Sequence, residues 1–272
     1  MIMSYGKKTL EYESIGSGPP IVLIHSTASS LKQWKHLINL LKHQYTLLAV
    51  NLFGYGQSSK WKVEDGPQSL LDQVHLFKSL LDRFAEPISF IGHSFGGSVA
   101  MRAALEYNDQ LRTLILLEPN PFFLFNQVEQ PIAYSESRKF GDLLKLHKEK
   151  EDWEGFSKIF LRFWIGDHAW PAMKQKQQQA FLSVIPNIYH EAEAIFSEQM
   201  EIKDFLGIQE KILLISTKDT NLVSKEITKL LARELPKLTE VQLPKGGHMA
   251  PVNSPEVVNP IICDHLSKIV QT

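Results

Sequence analysis

The run Gly92-His93-Ser94-Phe95-Gly96-Gly97 sets a hydroxyl among small residues, at the point where an apolar stretch, Ile88 to Gly92, gives way to a helix-like one, Phe95 to Tyr107. A serine presented on so sharp a strand-to-helix turn is placed to attack an acyl carbon. The flanking glycines let strand and helix pack closely enough for the strained turn to exist. The start of the helix favours negative charge developing beside Ser94. A serine hydroxyl is a poor nucleophile until a neutral imidazole can take its proton. Pro244-Lys245-Gly246-Gly247-His248-Met249-Ala250-Pro251 offers that imidazole, with two glycines freeing the loop to project His248 toward Ser94. The remaining histidines show no HExxH or similar ligand spacing, so no metal and no other cofactor is expected.

The elements that must position these groups are short apolar runs alternating with amphipathic segments of helix length, the pattern of βα units in a mostly parallel sheet. Strands are expected at Pro20 to His25, Tyr45 to Asn51, Ile88 to Gly92, Leu111 to Leu117, Lys211 to Ser216 and Leu238 to Leu243. Leu31, Trp34, Leu37, Ile38 and Leu41 share one helical face. Further helices are read over Ser69 to Phe84, Phe95 to Tyr107, Ser224 to Leu235 and from Pro255 onward. Between Glu118 and about Leu206 the βα alternation stops, and a helix-forming stretch opens on Phe122, Phe123 and Phe125. It reads as a helical cap over residues 121–205, inserted in a core formed by 1–120 and 206–272. Phe156, Phe160, Phe163, Trp164 and Trp170 join the opening phenylalanines as either the roof of an apolar pocket or the cap's own core.

Composition narrows the partners. Twenty-nine Lys and Arg balance 30 Asp and Glu in 272 residues, which offers no field to attract nucleic acid or an anionic membrane. A small, weakly charged substrate fits better. The one cysteine, Cys263, cannot close a disulfide within the chain, consistent with a reducing cytoplasm. Met1 to Glu13 lacks the apolar core of a signal peptide, and no apolar run approaches the ~18 residues that span a bilayer. The expectation is a complete, soluble, cytoplasmic chain, its oligomeric state left open.

With these motifs in place the sequence resembles the α/β-hydrolase superfamily, specifically the branch that carries a cap: esterases, carbon–carbon bond hydrolases, epoxide hydrolases and haloalkane dehalogenases. His25-Ser26-Thr27-Ala28-Ser29 resembles the family's HG loop, with Ser26 where Gly is usual. Asn51-Leu52-Phe53-Gly54-Tyr55-Gly56-Gln57-Ser58 resembles its DxxGxGxS segment, with Asn51 for the usual Asp. The resemblance implies His248 as base and an oxyanion hole made by the backbone N–H groups of Thr27 and Phe95. It offers two acids: Asp219, matching the family's GxxD in the chain order Ser, Asp, His, and Glu118, at a strand end that certain relatives use. Asp219 is preferred. His25, Ser26, His93, Phe122 and Trp164 are read as lining the substrate site, with His25 more a brace for its own loop than a proton carrier.

The implied activity is hydrolysis of a small, largely apolar carboxylic ester through an acyl-enzyme. Thioester hydrolysis, carbon–carbon bond hydrolysis, acyl transfer and a non-catalytic receptor for a small ligand remain alternatives on the same scaffold. Epoxide hydrolysis and dehalogenation are disfavoured, because they need a carboxylate nucleophile where this chain has Ser94.

Overall fold

Along the central strands successive side chains enter different cores, as the two-residue period of a strand demands. Val22, Ile24, Leu48, Val50, Phe90, Leu114, Leu116 and Leu214 join one cluster, while Ile21, Leu23, Leu47, Ala49, Ile91, Ile115, Leu117 and Leu213 join a second. Both faces are therefore covered, the usual condition of a parallel sheet. The computed structural model describes residues 1–127 and 131–270. Its strands are β1 (Ile2–Tyr5), β2 (Lys8–Gly16), β3 (Pro20–Ile24), β4 (Thr46–Val50), β5 (Ile88–His93), β6 (Leu111–Leu117), β7 (Ile212–Thr217) and β8 (Leu238–Leu243). They form one sheet in the order β1-β2-β4-β3-β5-β6-β7-β8, parallel from β4 onward, with β1 and β2 antiparallel at one edge.

The six expected strands are present within a residue or two at each end. The edge pair β1 and β2 was not anticipated: β2 buries only Leu10 and Tyr12 and leaves its second half exposed, so its apolar signal is faint.

Helices α1 (Lys35–Leu41) and α11 (Pro255–Val270) pack on one face, with the short α10 (Ala250–Asn253) before α11; α2 (Leu70–Leu81), α3 (Phe95–Glu106) and α9 (Leu222–Glu234) pack on the other. Between β6 and β7 every regular element of the described residues is helical: a 3-10 segment at Phe122–Gln127, then α4 (Pro131–Glu149), α5 (Trp153–Trp164), α6 (Ala169–Ala172), α7 (Gln175–Leu182), α8 (Ile185–Ser197) and a second 3-10 segment at Ile202–Phe205. Among the described residues no helix is long and apolar enough to cross a membrane.

The register brings the carboxyl ends of the central strands to one edge. His93 pairs with Leu117, and Thr217 with Leu243. After β3 the chain moves to one side to form β4 and then crosses back to form β5. The loops that leave β3 and β5 therefore diverge at a topological switch point, where open α/β sheets form their crevice.

Candidate active site

Ser94 follows β5 directly and adopts φ 55° and ψ −119°, a left-handed backbone that a serine holds only under constraint. The constraint is visible. Its N–H donates to Leu117 O at 3.0 Å, and its carbonyl accepts from Gly97 N at 2.8 Å and Ser98 N at 3.2 Å. The neighbouring glycines are required by close approach: a Cβ on Gly92 would lie 2.1 Å from Gly96 O, and one on Gly96 would lie 2.3 Å from Ile24 O.

His248 is buried, and its Nε2 stands 2.8 Å from Ser94 Oγ, the contact a proton transfer needs. Its ring stacks on Trp164, centroids 4.0 Å apart and planes 26° from parallel.

Behind the imidazole the structure places Glu118, and not the preferred Asp219, nearest the ring. Glu118, buried at the end of β6, brings Oε2 to 3.5 Å from His248 Nδ1. No hydrogen bond is formed at that distance, and among the described residues Nδ1 has no hydrogen-bond partner, so Glu118 is the carboxylate that faces it. The carboxylate is aimed by its neighbours. Thr217 donates to Oε1 from its N–H at 2.7 Å and from its hydroxyl at 3.1 Å, and Thr220 Oγ1 donates to Oε2 at 2.7 Å. Asp219, exposed between those threonines, instead accepts from Gly246 N at 3.0 Å and Gly247 N at 2.8 Å. These two amides hold its carboxyl below the usual range. Asp219 thus anchors the loop that carries His248 and does not touch the ring.

The Thr27 and Phe95 amides donate to no described residue, which leaves both N–H groups available beside Ser94. Ala28, next to Thr27, is held at φ 56° with its N–H on Tyr55 Oη at 2.9 Å.

His25 and His93, expected among the substrate contacts, line neither cavity of the site and act as braces. His25 donates from Nδ1 to Ser26 O at 2.7 Å and accepts Leu52 N–H on Nε2 at 3.2 Å; burial pushes its pKa down to about 4, so it is a neutral strut. His93 donates from Nε2 to His248 O at 2.9 Å and accepts from Gln33 Nε2 on Nδ1 at 3.2 Å. Burial first, then the adjacent His248, push its pKa down to about 3. Gln33 Oε1 in turn accepts from the Ser26 N–H and hydroxyl at 3.2 and 3.1 Å. One polar chain therefore runs from the Ser26–Thr27 loop through Gln33 and His93 to the loop that carries His248.

Two cavities meet the site. The larger, about 190 Å³, is bounded by Ser94 and His248 below, by Ser26 and Thr27 at one side, and by Phe160, Trp164, Phe181 and Met173 above. The smaller, about 20 Å³, lies against Thr27, Phe95, Asn120, Phe122 and Glu191. The aromatic set splits accordingly. Phe122, Phe160 and Trp164 are walls, whereas Phe123, Phe125 and Phe156 are buried in the core and line neither cavity.

Several contributors were missed in the sequence. Thr220 and Gln33 belong to no motif, and Tyr55 and Thr217 fall at variable positions of the DxxGxGxS and GxxD segments, which leave them unmarked. Glu191 did carry a signal: it falls on the apolar stripe of α8 with Ile185, Ile188 and Ile195, where a carboxylate is out of place. Asn51, at the family's Asp position, donates to Glu11 Oε2 at 2.7 Å, so a carboxylate reaches this turn from β2 instead.

A sheet of this order, with a strained serine after β5 and a histidine after β8, defines an α/β hydrolase, and the sequence comparisons agree. The family model described as alpha/beta hydrolase fold matches residues 19–255, and the chain belongs to that family. Among curated proteins it is 32% identical over 112 residues to a soluble epoxide hydrolase of Corynebacterium sp. (41% of this chain, 38% of that protein). It is 30% identical over 140 residues to a fluoroacetate dehalogenase of Burkholderia sp. (48% of this chain, 45% of that protein). The chain thus spans less than half the length of these curated relatives. Among solved structures, a thermophilic esterase from Thermogutta terrifontis superposes with a TM-score of 0.72 at 21% identity, covering 96% of this chain and 94% of that one, a likeness of fold.

Proposed function

We propose that the chain is a serine hydrolase that cleaves a small, largely apolar carboxylic ester through an acyl-enzyme at Ser94. The observation that carries this reading is the 2.8 Å contact between Ser94 Oγ and His248 Nε2 beneath an apolar cavity. Ser94 attacks the carbonyl carbon as His248 Nε2 takes its proton, and Glu118 steadies the imidazolium that results. The oxygen that becomes negative is held by the Thr27 and Phe95 amides. His248 then returns the proton to the leaving oxygen, and water activated by the same ring releases the acid. Residues 121–205 serve as the cap that closes over the ester, and the setting is cytoplasmic, suited to a chain with one cysteine. The activities named for the epoxide hydrolase and the dehalogenase are not carried over, because an alkyl ester intermediate needs a carboxylate where this chain has Ser94.

Intact-mass analysis after incubation with a fluorophosphonate tests the reading. One adduct per chain is expected for the wild type and none for Ser94→Ala or His248→Ala. A folded wild type that takes no label would overturn it.

A further inference from the structure

Glu191 is 3% exposed, comes from the cap, and is not used by the mechanism above. Its Oε2 accepts the Thr27 hydroxyl, and the Tyr55 hydroxyl, which accepts the Ala28 N–H, lies near enough to affect the carboxyl's acidity. Its Oε1 is buried with no hydrogen-bond partner in the structure. Glu191 belongs to the wall of the small cavity that Thr27, Phe95, Asn120 and Phe122 complete. Leaving a polar oxygen unpaired inside a protein is costly, and such a group commonly serves a ligand.

Which side of an ester reaches this cavity follows from the direction of proton flow. His248 must protonate the leaving oxygen, so the leaving group lies in the cavity that His248 lines, the larger one. The small cavity touches both residues whose amides hold the oxyanion but neither Ser94 nor His248, which puts it on the acyl side. Its volume, about 20 Å³, admits one group about the size of a hydroxyl or methyl.

We propose that this cavity is the acyl subsite and that Glu191 Oε1 selects a short acyl chain bearing one uncharged oxygen, a hydroxyl or keto group, over its alkyl counterpart. The proposal rests on the ester-hydrolase reading. Burial pushes the carboxyl up to about 8 against the opposing hydrogen bond from Thr27, so near neutral pH it is an acid that can donate to such an oxygen. Glu191 is on this account a specificity-determining residue. A purely structural Glu191, bracing Thr27 from the cap, would affect every ester alike.

The test compares isosteric pairs, phenyl 3-hydroxypropanoate with phenyl butanoate and phenyl glycolate with phenyl propanoate, with each kcat/KM corrected for the ester's hydroxide-catalysed rate. In the wild type at least one hydroxy ester is expected to exceed its partner about tenfold or more, since a site built to bond an oxygen rejects the analogue that lacks it. Glu191→Leu should bring that ratio close to one. Glu191→Gln, which keeps a donor, should retain most of it, and Thr27→Val, which cuts the brace but leaves Oε1 in place, should retain it too. Equal rates in the wild type, a ratio that survives Glu191→Leu, loss of the ratio in Thr27→Val to the same degree, or preference for the cationic phenyl 3-aminopropanoate would each overturn the proposal while ester hydrolysis stands. Absence of both turnover and fluorophosphonate labelling would instead remove the ester-hydrolase reading, and the proposal with it.

Discussion

Below the larger cavity, Ser94, Glu118 and Thr27 are fixed by backbone that has no room to move, whereas above it Phe160 and Trp164 are fixed mainly by other rings. Three of the four non-glycine residues with positive φ among the described residues, Ala28, Ser94 and Glu118, belong to this floor. Each such conformation costs on the order of 1–3 kcal/mol and persists only where the surroundings leave no alternative. The roof is a run of ring contacts: Phe140 stacks on Phe163 at 4.0 Å, Phe163 meets Trp164 edge-on at 4.8 Å, and Phe122 lies 5.9 Å from Trp164. Its polar ties to the core are few, among them Asn187 Nδ2 to Gly54 O at 2.8 Å and Asn221 Nδ2 to Phe163 O at 3.2 Å. Ring packing tolerates substitution of similar volume, while strand-end geometry does not. Substitutions in the floor should therefore cost chemistry, and substitutions in the roof should tune preference.

The largest expected effect sets one acid against the other within the floor. Glu118→Gln should lower kcat by about 10³ to 10⁴-fold with little change in KM, whereas Asp219→Asn should cost about tenfold or less, through a looser base loop. Equal losses from steady-state kinetics would mean that Asp219 reaches the ring in the working enzyme. Next comes the elbow itself. Gly96→Ala forces a Cβ to within 2.3 Å of Ile24 O and 2.4 Å of His25 O, and should destabilise the fold by about 3 kcal/mol or more in urea denaturation. In the roof, Asn187→Ala removes one hydrogen bond, to Gly54 O, and should cost only about 1 kcal/mol. A roof substitution as damaging as Gly96→Ala would erase the contrast.

The smallest effect is a difference in pH dependence. His25 and His93 are held neutral, with folded pKa values of about 4 and about 3, below the 6.5 of a free imidazole. Their contribution is intact above the unfolded value and is lost as pH falls from about 6.5 toward 3, because the unfolded chain takes up the protons first. Glu191 has the opposite sign. With a folded pKa of about 8 it contributes below about 4.5, and that contribution is lost as pH rises through 8. Denaturation of the wild type and Glu191→Gln across pH 4 to 9 should show their stability difference moving against the wild type toward alkaline pH. A difference that does not change with pH would show that Glu191 titrates normally.

What could be read from sequence follows the same division. Ser94 and the central strands were legible because an apolar run ending in Gly-x-Ser-x-Gly admits few geometries. The choice between Glu118 and Asp219 was not, since both lie just past a strand end and what separates them is where the side chains point. Thr217 and Thr220 settle that direction, and their hydroxyls become informative only once β6 and β7 are known to be neighbours. The edge strands β1 and β2 escaped notice because half of β2 faces solvent, although Glu11 within it supplies the carboxylate that Asn51 lacks. Glu191 was readable as an acid on an apolar stripe, but nothing local says what lies across from it.

His248 and Ser94, the base and nucleophile of the proposed mechanism, are 154 residues apart in the chain. On a ribosome adding roughly 5–20 residues per second, the serine emerges about 8 to 30 s before the histidine that would activate it. The strained turn, the oxyanion amides and Glu118 can all be made in that interval, yet the hydroxyl stays chemically inert until the loop after β8 arrives. On the proposed mechanism, this spacing would keep the growing polypeptide unreactive and tie the onset of reactivity to the closing of the sheet.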